Sequence, residues 1–135
     1  MNKIFKQSME VGYYFSRYFL DDVTTQDWSA SEECSTFTKC VVDYVKENKC
    51  DIKTTFDKIS NEIVDKIEKE TIRTEDHMWD DYCKGFLAGE IIGLPTKENM
   101  KKIKRAENLW NNDIDKYGEH KYGYYHEVLE IVADE

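Results

Sequence analysis

Residues 2–20, NKIFKQSMEVGYYFSRYFL, decide the fold. Phe5, Met9, Gly12, Phe15 and Phe19 follow one another at spacings of three and four, and Tyr14 and Tyr18 widen the same stripe. That period places them on one face of an α-helix, whereas a strand would need alternation. A face this aromatic predicts the centre of a helical core.

The same period continues outward. Ser29 and Glu32 form a capping box, after which Cys34, Phe37, Val41, Tyr44 and Val45 keep helical spacing to an end near Asn48. A third helix is expected from Thr54 or Thr55, with Phe56, Ile59, Ile63 and Ile67 inward. A fourth is expected from Thr74 to about Gly93, stopped by Pro95. Thr96 caps a fifth, whose inner face is Met100, Ile103, Ala106, Trp110, Ile114 and Tyr117, with Gly118 beyond its end. A last helix over 122–133 would bury Tyr125, Val128, Leu129 and Val132. Only 50–54 and the tyrosine-rich stretch after Gly118 are ambiguous between helix and strand. The fold class predicted is all-α, a single-domain bundle of five to six helices spanning residues 1–135. A chain of this length buries about 68% of its unfolded surface, enough for a core without staples.

Gly85, Gly89 and Gly93 fall four apart and line one face of the fourth helix. Each costs about 1 kcal/mol relative to alanine in a helix interior, so close approach of another backbone must offset the cost. The aromatic first helix is the expected neighbour, and a homodimer seam through Gly85, Gly89 and Gly93 is the alternative.

No apolar run reaches the roughly 20 residues of a membrane span, and no signal-peptide cleavage pattern is evident. A cytoplasmic location is therefore expected, in a bacterial host if the chain is phage-encoded. Lysine outnumbers arginine sixteen to three, a usage that fits an AT-rich genome. Cys34, Cys40, Cys50 and Cys83 contain no C-x-x-C pair, which points to thiols packed in or beside the core.

Catalytic and metal chemistry find little support. His77 and His126 have Asp81 and Glu130 four residues on, but two ligands do not make a metal site, and neither E-x-x-H nor H-E-x-x-H occurs. No histidine stands at local spacing to a cysteine, and no phosphate-cradling loop follows a strand. No enzyme activity, cofactor or metal is expected.

Charge is the informative remainder. The chain carries 28 acidic and 19 basic residues, a net −9. Asp21, Asp22, Asp27, Glu32 and Glu33 are five carboxylates in thirteen positions without a lysine or arginine. Glu68, Glu70, Glu75, Asp76, Asp80 and Asp81 form a second group, and Glu127, Glu130, Asp134 and Glu135 a third. Trp28, Trp79 and Tyr82 lie within the first two groups. The expected partner-binding surface is Asp21, Asp22, Asp27, Trp28, Glu32, Glu33, Glu75, Asp76, Trp79, Asp80 and Asp81. One segment has the opposite sign, Lys101, Lys102, Lys104 and Arg105, and an acidic neighbouring helix is its expected complement, in preference to nucleic acid.

A compact acidic chain without catalytic groups implies a binder of a basic partner such as a nuclease or other nucleic-acid-handling effector, with no direct nucleic acid and no membrane. In bulk properties alone it is similar to phage anti-CRISPR and anti-restriction inhibitors, which act as nucleic-acid mimics. It is similar in the same way to immunity proteins and antitoxins that neutralise nuclease toxins. A small helical enzyme and a self-associating structural adaptor are the readings from other classes.

Overall fold

A computed structural model describes residues 3–18, 32–58, 81–112 and 125–135. Every element among them is an α-helix: α1 (Lys3–Tyr18), α2 (Glu32–Asn48), α3 (Ile52–Lys58), α4 (Asp81–Ile91), α5 (Lys97–Asn112) and α6 (Tyr125–Ala133). The all-α reading holds. The expected positions Phe19, Ser29, Ile59, Ile63, Ile67, Thr74, Ile114, Tyr117 and Gly118 lie outside the described residues.

The local signals act where the backbone would otherwise leave polar groups unmet. Asp51 Oδ1 accepts the Thr54 N–H at 2.6 Å, an N-cap that starts α3 at Ile52. This helix therefore begins two or three residues before the expected Thr54 or Thr55. Thr96 Oγ1 accepts the Asn99 N–H at 3.1 Å and caps α5 as its position predicted. At the other ends, Lys49 adopts φ 51°, and the Cys50 N–H returns to the Val45 carbonyl at 3.3 Å to close α2. Gly93, at φ 125°, does the same for α4, its N–H reaching the Ala88 carbonyl at 3.2 Å.

One core joins all six helices. Phe15 of α1 lies between Phe37 of α2 and Phe86 of α4, with ring centroids 5.2 Å away in both directions, and Phe37 passes the contact on to Phe56 of α3 at 6.1 Å. On the far side, α6 lays Tyr125, Val128, Leu129 and Val132 inward, all four as expected, and Trp110 of α5 meets the Tyr125 ring edge-on at 5.7 Å. Helix α4 touches α1, α2 and α6 and is buried on nearly every side, so it has almost no amphipathic stripe of its own.

The α1–α4 crossing explains the glycines. A Cβ on Gly12 would strike the Phe86 carbonyl, and one on Gly89 the Met9 carbonyl. One on Gly85 would strike Ser8 Cβ and come within 2.7 Å of the Phe5 oxygen. Ser8-x-x-x-Gly12 and Gly85-x-x-x-Gly89 are thus reciprocal small-residue pairs that let two backbones meet. Buried Ser8 meets its own hydrogen-bonding need by donating to the Ile4 carbonyl at 2.7 Å.

Gly85 and Gly89 pack against α1, the neighbour expected for them, and Gly93 serves the turn. One expectation needs correction. Tyr44, placed on the inner stripe of α2, is 36% exposed; Val42 and Thr38 are buried instead. Contacts of α2 with α1, α3 and α4 rotate its inner face away from Tyr44.

Candidate functional site

Of the expected partner-binding residues, Asp21, Asp22, Asp27, Trp28, Glu75, Asp76, Trp79 and Asp80 lie outside the described residues. Glu32 and Glu33 open α2, and their side chains are likewise outside. Asp81 is exposed in the first turn of α4, where a carboxylate complements the positive end of the helix macrodipole.

One member of the third acidic group, Glu135, pairs with the basic segment. Arg105 holds the Glu135 carboxylate through two nitrogens, Nη2 to Oε1 at 2.6 Å and Nε to Oε2, and Lys102 adds its charge to the same carboxylate. These interactions hold the Glu135 carboxyl below the usual range. The pair joins Glu135, just beyond α6, to α5, and both side chains remain substantially exposed. Nearby, the buried Tyr125 hydroxyl donates to Glu107 Oε1 at 2.6 Å. Burial, then the Glu107 carboxylate and its hydrogen bond, push this phenol far above its ordinary pKa, so it remains a neutral donor.

One carboxylate pair was not singled out by sequence. Glu10 of α1 and Asp51 face a shared cleft of about 390 Å³, with Tyr14, Lys53 and the turn at 94–96 around it. Burial and then the Asp51 charge raise the Glu10 pKa, whereas hydrogen bonds from Thr54 hold Asp51 low. A raised and a depressed carboxyl side by side is the pattern acid–base catalysts use. Here, however, Asp51 commits an oxygen to capping α3, which is a structural duty. The only available signal was the Asp51-x-x-Thr54 cap spacing.

The pH dependence follows from these directions. Asp51 stabilises the fold above the unfolded aspartate value of about 3.9, and that contribution is lost as pH falls through its lower folded value. Glu10 has the opposite sign: its contribution is complete below the unfolded value of about 4.3 and is lost as pH rises through its higher folded value. Glu10→Gln is thus expected to increase the unfolding free energy at pH 7 and to leave it unchanged below about pH 4. Urea titrations at the two pH values check this, and an equal effect at both would contradict it.

Cys40 and Cys50 are half-buried thiols and Cys83 is fully buried; the Cys50 sulfur lies 3.3 Å from Thr55 Oγ1. Among the described residues, no three His, Cys, Asp or Glu side chains gather to hold a metal ion, and no helix is long and apolar enough to cross a membrane. No protein-family model, curated protein or solved structure matches the chain.

Proposed function

We propose that the chain is an acidic inhibitory binding protein that occludes a basic, nucleic-acid-handling partner, in the manner of an anti-CRISPR or anti-restriction inhibitor. The observation that carries this reading is the run of five carboxylates, Asp21, Asp22, Asp27, Glu32 and Glu33, in thirteen positions without a lysine or arginine, in a chain of net charge −9. We assign Asp21, Asp22, Asp27, Glu75, Asp76 and Asp80 to pairing with cations of the partner. Carboxylates that pair with the arginines and lysines of a nucleic-acid channel compete directly with phosphate. Exposed ion pairs contribute only about 0.2–1 kcal/mol each. Charge therefore sets the rate and choice of partner, and aromatic anchors such as Trp28 and Trp79 supply most of the affinity.

An affinity capture from host lysate at low and moderate salt, followed by identification of the co-eluting protein, provides the partner. Reversal of Asp21, Asp22 and Asp27 to lysine is then expected to slow association about tenfold or more and to flatten its salt dependence. Unchanged association kinetics would remove this segment from the interface. A captured toxin nuclease encoded by the adjacent gene would identify the immunity-protein form of the same mechanism.

A further inference from the structure

A second cleft among the described residues differs in character from the Glu10–Asp51 one. It has a volume of about 530 Å³, within the range of roughly 300–1,000 Å³ typical of ligand clefts, and runs between the start of α1 and the C-terminal half of α2, with Tyr82 of α4 at its edge. Its accessible apolar surface is Ile4 and half-buried Tyr82, with the buried Val42 and Val45 forming the floor. Ile4 is 39% exposed, one of the few large apolar side chains that the fold leaves in water.

The polar lining has a sign opposite to that of the whole molecule. Lys3 comes from the α1 wall and Lys46 and Lys49 from the α2 wall, against the single carboxylate Asp43. Lys46 and Lys49 have a structural reason to be there, since cations complement the negative end of the α2 macrodipole. Lys3 has none. It occupies the first turn of α1, where a cation opposes the positive end of the helix, and that turn contains no acidic residue. A cation placed against its own helix beside an exposed isoleucine is the kind of local inconsistency that marks a functional surface.

We propose that this cleft is a docking groove for an acidic amphipathic segment of a partner protein, whose apolar side chains cover Ile4 and Tyr82 while its carboxylates pair with Lys3, Lys46 and Lys49. Cations on both walls suit an extended ligand with several separated negative charges, as an amphipathic helix has when its apolar anchors repeat at i, i+3, i+4 and i+7. The groove is independent of the inhibitory reading above, and either can fail without the other.

The test uses the full chain and a fluorescein-labelled helical peptide with leucines at i, i+3, i+4 and i+7 flanked by glutamates, followed by anisotropy. The acidic peptide is expected to bind, its lysine-flanked counterpart is not, and added salt should weaken the complex. Lys3→Glu combined with Lys46→Glu should weaken binding about tenfold or more, and Ile4→Asp should weaken it as well. Lys101→Glu with Lys104→Glu on α5 should leave it unchanged. All five positions are exposed, and circular dichroism verifies that each variant folds. Absence of binding by the acidic peptide, equal binding of the basic one, or equal loss in the α5 variant overturns the proposal.

Discussion

Gly89→Ala is expected to lower the unfolding free energy by about 3 kcal/mol, although on an exposed helical surface the same change raises it by about 1 kcal/mol. The reversal in sign comes from what the new methyl group meets. At Gly89 its nearest neighbours are the carbonyl oxygen, carbonyl carbon and Cα of Met9, all backbone atoms of α1. No rotamer change can relieve that contact, so α1 must move away from α4, and the Phe5, Met9, Phe15 and Phe86 layer between them opens with it. Overpacking of this kind costs typically 1–3 kcal/mol, and the upper end applies where the obstruction is backbone. Against a total stability of about 5–15 kcal/mol, the loss is large. Gly12→Ala should act in the same direction from the other helix, through the Phe86 carbonyl. Together the two should cost less than their sum, because separation forced by one methyl group makes room for the second. Urea unfolding followed by circular dichroism measures all three variants. A Gly89→Ala protein as stable as its parent would mean that the two backbones do not meet here.

That crossing also indicates how far the sequence can be read. The four-residue spacing of Gly85 and Gly89 is visible in the sequence, and with it the need for a close neighbour, because helix geometry alone places them on one face. The opposite half was visible only at Gly12. Ser8 reads as a solvent residue by polarity, and nothing local shows that its hydroxyl satisfies itself on the Ile4 carbonyl and goes under Gly85. In α2, the run Val41-Val42 followed by Tyr44-Val45 supports two inner faces about one residue apart. Periodicity cannot choose between them, because the choice is made by the helices packed alongside. The candidate site divides in the same way. Net charge and the carboxylate run from Asp21 to Glu33 are properties of the chain alone. The match of Arg105 with Glu135, thirty residues away, and the meeting of Lys3 with Lys46 and Lys49 both depend on tertiary packing.

Phe15→Ala is expected to be the most damaging single change in the described core, at about 4 kcal/mol. Phe15 is 1% exposed, and its ring contacts Phe37 edge-on and Phe86 at a tilt, both at 5.2 Å, so α1, α2 and α4 all lose a contact when it is removed. Two costs add: the transfer of a benzyl group out of water is forfeited, and a cavity remains that α1 and α4, already in backbone contact at Gly12 and Gly89, cannot close. Phe15→Leu restores most of the volume and should cost about 1.5 kcal/mol, the remainder being the ring-to-ring geometry. A double-mutant cycle of Phe15→Ala with Phe37→Ala should return a coupling of about 1 kcal/mol. Tyr44→Ala is the internal control. Although it shares a helix with Phe37, Tyr44 faces solvent and should change stability by no more than about 0.5 kcal/mol. Equal losses at Phe15 and Tyr44 would mean that α2 is rotated about its axis, with Tyr44 in the core. A large loss at Phe15 beside a negligible one at Tyr44 requires the aromatic cluster to be the point where the first, second and fourth helices are held together.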